Sequence, residues 1–522
     1  MESNNLYGRI LNGARAVIPA RAVSALVILG LIVTTFAIGN AQGLLFNEKG
    51  KRPSRDQGTE IGTEYKTGGL VLADHTSDIL TPCGDLSFTQ APGSPFAATS
   101  PLISATADFN GDGNPDLAAT DNVNNAVRIY LGDGNGGFTT ATPVIFGPGP
   151  PPVGIIAADF NLDGKIDLAV TISGGSTVAI LIGDGHGGFS STFGANVTGA
   201  YLLVSADFNL DGKPDLAVGG GSGNPVSVLL GDGHGNFSLA SGSPLSVPSS
   251  FGLTVGDFNL DGKPDLAVAT LHSSSAYIFL GNGSGGFSPA PGSPIAIAGT
   301  PDFFATADFN GDGKPDLAVS NNGSQGMTIL LGNGNGSFTP APGSPIAIGS
   351  ELGQVVAADF NLDGKPDLAS IRNSSNDVTI LLGDGAGGFP PSSVTTVTVA
   401  DAPVWLAIAD FNRDGRPDFA ASDTFINKIS VELNTCSPAT ITIDGRLLSP
   451  DLRGLRNAVV TMTDQNGNSL SATTSSFGYF SFVNVPAGQT NTLRVSSRLY
   501  RFQPQTVTAN TNLTLPDLVG QE

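Results

Sequence analysis

The sequence predicts an all-β protein, a seven-bladed β-propeller followed by a small β-sandwich. Three observations carry that expectation. The string D-F-N-x-D-G-x-x-D occurs seven times, beginning at Asp108, Asp159, Asp207, Asp257, Asp308, Asp359 and Asp410. The intervals are 51, 48, 50, 51, 51 and 51 residues. Between copies lie short β-type apolar runs bounded by Gly, Pro, Asn and Asp, with no helical-period segment of useful length. A period near 50 with about four short strands is that of a propeller blade. A stacked β-solenoid would need capping repeats at both ends, and none is visible.

Composition narrows the class further. The chain has 522 residues, 70 Gly, 35 Pro, two Cys and a formal charge of −21. Gly and Pro together stay below the ~25–30% of low-complexity chains, and there is no collagen period. Charged residues are only 13%, about half the usual ~25%. The negative charge therefore reflects few cations and many Asp at particular positions. Nucleic acid and anionic membrane surfaces are disfavoured, because phosphate binding needs clustered Lys and Arg. Two Cys exclude a disulfide scaffold and a Cys-rich zinc site.

From the N-terminus, Arg9, Arg15 and Arg21 precede an apolar run from Ala22 to Ile38, followed by Gly39-Asn40-Ala41. This is a secretory signal pattern, 1–41, with an uncleaved anchor as the rival. Cleavage would leave a mature charge of −23 and no membrane span. Residues 42–82 are polar and mixed and read as a linker.

The propeller is expected over 83–436. The first six units end in a Gly-rich turn and a Phe: Phe138, Phe189, Phe237, Phe287, Phe338 and Phe389. The seventh stops at "KISVELNTC" (428–436), and the missing piece, "CGDLSFTQAPGSPF" (83–96), stands before the first loop. An N-terminal strand is expected to complete the last blade. Aligning Phe88 with Phe138, and Val431 with Ile129, sets Cys83 and Cys436 on either side of one virtual hairpin turn. A disulfide is expected there, in an oxidising compartment; the alternative is two unrelated free thiols.

The repeated loops carry the chemistry. A hard cation wants oxygen ligands from a tightly curled loop, and Gly at position 6 permits the turn. Positions 1, 3, 5 and 9 supply side-chain oxygens. They are Asp108, Asn110, Asp112 and Asp116; Asp159, Asn161, Asp163 and Asp167; Asp207, Asn209, Asp211 and Asp215; Asp257, Asn259, Asp261 and Asp265. The last three sets are Asp308, Asn310, Asp312 and Asp316; Asp359, Asn361, Asp363 and Asp367; Asp410, Asn412, Asp414 and Asp418. Position 7, Asn114 in the first loop and often Lys elsewhere, would give its carbonyl, with its side chain pointing away. About seven structural Ca2+ ions are expected, since Mg2+ demands stricter octahedral geometry. An EF-hand is excluded, because position 12 is never Glu and the flanks read as strands. A single such loop could be an Asx-rich turn, but seven in register, each with three carboxylates, would repel without a cation. The Phe at position 2 is expected to anchor each loop in the blade core. The "LGDGHGGF"-type turns suit hairpins better than a second metal site.

With these residues in view, 83–436 resembles FG-GAP repeats of the VCBS kind, related to the propeller of integrin α subunits. The resemblance implies calcium loops on one face, partners on the other, and a recognition or adhesion module. Two departures stand out: Ile166 replaces the Pro at position 8, and Arg413 and Arg416 bring positive charge to the seventh loop. From about 439 to 520 the Asp loops stop and alternating runs at Ala458–Thr463, Tyr479–Val483 and Thr492–Val495 suggest a β-sandwich. Gly445-Arg446, Gly454 to Val460, Phe477 to Phe480 and Val485 to Gly488 resemble a carboxypeptidase regulatory-like domain.

The leading functional expectation is a secreted or cell-surface, calcium-stabilised scaffold without catalytic activity, whose partner is an extracellular protein or glycan. A lectin is the alternative, although the chain has one Trp (Trp405) and seven Tyr. A polysaccharide-active enzyme is the third. No nucleophile elbow or H-E-x-x-H occurs, and there are only four His.

Overall fold

The computed structural model describes residues 83–521, apart from 174–176, 198, 222, 271–272, 323–325, 350–351, 373–374, 400–402, 439, 465–466, 487–489 and 509–511. The expected signal peptide and linker lie outside the described residues. Among the described residues the regular structure is β-strand, apart from one 3-10 turn at Pro391–Ser393.

Among the described residues between 88 and 434 the strands assort into seven antiparallel sheets. The first is a meander of Pro101–Ala107, Asp116–Asp121, Ala126–Gly132 and Phe138–Thr140. The Asp-rich loop joins its first two strands, so that Ala107 pairs with Asp116. The Gly-rich turn joins the last two, so that Gly132 pairs with Phe138. The second strand is buried along its whole length in this sheet. Its apolar run therefore has a side chain to bury on both faces, as a strand between two packed sheets requires.

The first strands of neighbouring sheets pack side by side, and that of the seventh, Trp405–Ala409, packs on that of the first. Polar and aromatic groups lock this inner column. Trp405 Nε1 donates to Ser104 O at 2.9 Å, and Leu406 N donates to Gln354 Oε1 at 2.6 Å. Tyr201 contacts Phe251, Phe251 contacts Phe303 of the following sheet, and Phe303 contacts Trp405 two sheets further on.

The seventh sheet is completed from the other end of the chain. Phe88–Gln90 pairs with Lys428–Asn434, in the register Phe88 with Asn434. Phe96–Ala97 pairs farther along the same strand. Cys83 and Cys436 form a disulfide across this seam, with Cα atoms 5.5 Å apart.

After the seam, Thr440–Leu448 and Tyr479–Pro486 form one sheet, with Leu513–Thr514 and Leu518–Val519 running parallel to Thr440–Leu448. Ser469–Thr473, Val459–Thr463, Thr490–Ser496 and Gln505–Thr508 form a second. Ile441, Ile443, Val460, Met462, Phe480, Phe482 and Leu493 make the core between them. The period-2 alternation of Thr440–Leu448 turns its Ile and Leu inward and its polar residues outward. The chain is thus all-β in both parts.

Candidate metal loops

In the first loop the amide of Asp112 donates to Asp108 Oδ1 at 3.2 Å and to Asn110 Oδ1 at 2.9 Å. Gly113 N donates to Asp108 Oδ2 at 2.8 Å, and Asn114 N to Asp112 Oδ1 at 2.8 Å. The side-chain oxygens of positions 1, 3 and 5 are therefore gathered around one tight backbone turn. The same bonds recur in the third loop through Asp207, Asn209 and Asp211, and in the seventh through Asp410, Asn412 and Asp414.

Position 9 has a different setting. Asp116 opens the second strand and is fully buried. Its Oδ2 accepts Phe109 N at 2.8 Å, and its Oδ1 accepts Gly132 N at 2.7 Å. One carboxylate thus ties position 2 of the loop to the end of the third strand. Asp167, Asp215, Asp265, Asp316 and Asp367 hold the corresponding pairs of amides. Asp418 holds Phe411 N and Asn434 N. Burial pushes Asp116 up to about 6, against the two amide bonds, and the carboxylates of Asp108 and Asp112 push the same way. Asp215 reaches about 7 and Asp418 about 8, again chiefly through burial.

Hard oxygen donors converging on one turn fit a calcium-type cation. Asp at positions 1 and 5 and Asn at position 3 would hold it. Position 9 keeps lone-pair capacity beyond its two amides, since a carboxylate offers about four acceptor sites. Among the described residues no three His, Cys, Asp or Glu side chains are drawn together as a metal-binding group on their own.

Position 7 departs from expectation. The Lys side chain does not point away; it lies on the position-5 carboxylate of its own loop. Lys213 Nζ is 3.1 Å from Asp211 Oδ2, and Lys263 and Lys314 are each 2.8 Å from Asp261 and Asp312. Arg416 makes the same pair with Asp414 at 2.9 Å. The first loop has Asn114 here, and Arg413 reaches over from the seventh loop to donate to Asn114 Oδ1 at 3.3 Å.

Position 4 carries a feature that the motif string left blank. Leu162, Leu210, Leu260, Leu362 and Arg413 all have φ near +59°, where Gly111 and Gly311 stand in the other two loops. A left-handed leucine is unfavourable by about 1–2 kcal/mol. The Leu162 side chain leans on the turn of the next sheet, where a Cβ added at Gly233 would meet its Cδ1 at 3.1 Å.

The position-2 Phe is buried in every loop, as expected, but its contacts reach beyond its own sheet. Phe109 packs edge-on against Phe189 of the next sheet, with centroids 5.6 Å apart, and Gly187 N donates to Phe109 O at 3.0 Å. The pair recurs as Phe160–Phe237, Phe208–Phe287, Phe258–Phe338, Phe309–Phe389 and Phe411–Phe138. Phe360 meets Phe88 at the seam, where Asn434 Nδ2 donates to Phe360 O and Cys83 N to Asn361 O. Six loops are thereby bonded to the Gly-rich turn of a neighbouring sheet, and the sixth in chain order is bonded to the seam instead. Those turns are held locally: Asp133 Oδ1 accepts the amides of Asn135 and Gly137. Trp405 is buried in the inner column and presents no ring to a sugar.

A ring of meander sheets, each bearing the same Asp-rich loop between its first two strands, defines a repeat β-propeller. The FG-GAP-like repeat model matches six overlapping stretches, 108–170, 159–218, 207–268, 257–319, 308–370 and 359–421. The chain belongs to the FG-GAP-like repeat family. Among solved structures, it is similar to BBS1N, from its complex with ARL6DN soaked with mercury, at 14% identity, covering 67% of this chain and 96% of that one with a TM-score of 0.48. A protein from Lactobacillus plantarum matches at 17% identity, over 60% of this chain and 88% of that one, with a TM-score of 0.46. Comparison with curated proteins gives no match.

Proposed function

We propose that the protein is a secreted or cell-surface, calcium-binding, seven-bladed propeller that acts as a non-catalytic recognition or adhesion scaffold. The observation that carries this reading is the sevenfold repetition of one oxygen-donor turn at the same place in each sheet. Sevenfold repetition favours a shared structural task over a single reacting centre. The disulfide is compatible with an oxidising, extracellular setting. On this reading the cations brace the loop face, and the partner, an extracellular protein or glycan, docks elsewhere on the ring. The C-terminal sandwich serves as a carboxypeptidase regulatory-like spacer with no chemistry of its own. The loop bonding also bears on order of assembly: a cation at positions 1, 3 and 5 would stiffen a turn that is already tied to the next sheet.

Isothermal titration of the chelated, desalted protein with CaCl2 tests this. The reading expects about seven equivalents, with dissociation constants of about 10⁻⁴–10⁻³ M, the range of extracellular modules. Asp211→Ala should remove one equivalent. Absence of calcium binding up to 10 mM would sink it.

A further inference from the structure

The propeller's two covalent exits leave from one point. The chain enters at Cys83, five residues before the seam strand Phe88–Gln90. It leaves at Cys436, two residues after Lys428–Asn434 and four before the first long strand of the sandwich, Thr440–Leu448. These seam strands are antiparallel, with Phe88 opposite Asn434. Entry and exit therefore lie at the same end of one hydrogen-bonded pair.

That geometry has a mechanical consequence. Tension applied to the two ends of the chain would pull Phe88 and Asn434 directly apart. Their ladder would be loaded one rung at a time, Phe88–Asn434, then Thr89–Leu433, then Gln90–Glu432. Unzipping of this kind breaks bonds singly, and each backbone bond contributes only about 0.5–1.5 kcal/mol net. Ahead of this ladder stands one short pairing, Cys83–Asp85 with Ser437–Pro438, in which Cys83 is opposite Pro438 and Asp85 opposite Ser437. Ser87 Oγ donates to Thr435 O at 3.1 Å in an exposed position, and Thr435 N donates to Ser87 O. The Cys83–Cys436 bond lies just outside this first rung, between the load and the ladder.

We infer that this disulfide is a load-bypass clamp: tension between the N-terminal segment and the C-terminal sandwich runs through Cys83 and Cys436, leaving the whole propeller as an unloaded side-loop. The relevance to adhesion rests on the proposed function; the load path does not. Ring closure by entropy alone would favour a bond anywhere along the seam. A bypass requires it outside the main seam ladder of Phe88–Gln90 with Lys428–Asn434 on both strands, which is where it stands; only the short pairing of Cys83–Asp85 with Ser437–Pro438 shares its position.

Single-molecule stretching of the full chain between handles at its two ends tests the clamp. The sequence separation of the cysteines is 353 residues. At ~3.3–3.6 Å per residue this hides about 1,200 Å of contour length. Oxidised molecules should extend through the sandwich and N-terminal segment without releasing that length. Adding dithiothreitol to the same molecules should release it, starting at low force as the seam unzips. The Cys83→Ser/Cys436→Ser variant should release it without reductant; if that variant fails to fold, reduction of the held wild-type molecule gives the same reading. Release of the 1,200 Å from oxidised molecules, or no added length after reduction, would overturn the inference.

Discussion

Asp215 shows how one residue type serves two ends within a single loop motif. Its buried carboxylate holds Phe208 N and Gly231 N, whereas Asp211, four residues earlier, stands at the surface against Lys213. Replacing Asp215 by Ala leaves two buried amides without acceptors, each worth about 1–3 kcal/mol. Asp215→Ala should therefore cost about 3 kcal/mol or more in urea unfolding even with chelator present. Asp211→Ala loses an exposed ion pair worth about 0–1 kcal/mol; in chelator it should unfold within ~1 kcal/mol of wild type. Equal losses for the two would contradict this division of labour. Asp302 gives the residue-scale pH signature. It is buried on the inner column, its Oδ2 has no hydrogen-bond partner, and burial pushes it up to about 8 against one bond from Asn322. The native state therefore holds a proton there that the unfolded chain releases near pH 4. The resulting stability is complete below about pH 4 and is lost as pH rises towards 8. Compared with Asp302→Asn, wild type in chelator should lose stability steadily from pH 5 to 8 and level off above. Parallel profiles for the two proteins would refute the assignment.

At the scale of strands and loops, the coupling between neighbouring sheets matters most. Phe258 is buried in its own loop and packs edge-on against Phe338 of the next sheet, with centroids 5.4 Å apart. Truncation of a buried Phe costs about 3–5 kcal/mol. Phe258→Ala should fall in that range, Phe338→Ala, at a half-buried ring, should cost less, and the double variant should cost less than the sum, because the two rings share one contact. Strict additivity in a double-mutant cycle would show that the sheets are not joined there. These couplings also mark the limit of what the sequence discloses. The loop positions, the seam strand and the cysteine pairing are legible because fixed spacings within one repeat encode them. The Phe–Phe contacts are not, because each pair spans two repeats and depends on how sheets stack. The placement of the lysine side chains at position 7 is hidden for a related reason. Spacing gives a backbone carbonyl its place but says nothing of where a flexible side chain finds a counter-charge. The left-handed leucines at position 4 were invisible, because the motif reads any residue there and only the fold imposes φ near +59°.

For the whole molecule, charge and stability belong to one account. Three carboxylates in each of seven loops make 21, against a formal charge of −21 for the full chain. Outside these 21 carboxylates the chain's formal charges balance, 24 acidic against 24 basic, and the loops are where cations would change the balance. At a tenfold excess over the dissociation constant each bound cation adds ~1.4 kcal/mol by linkage. Seven independent sites would add about 10 kcal/mol, comparable with the stability of an entire domain. Because every loop is bonded to the neighbouring sheet, through its turn or at the seam, that gain would be spread around the ring rather than confined to one sheet. The most direct test is thermal unfolding of the oxidised protein in 10 mM CaCl2 and again in excess chelator, with MgCl2 as the control. The melting temperature should be many degrees higher in calcium than in chelator, with magnesium close to the chelated value. The same melting temperature in calcium and in chelator would contradict it.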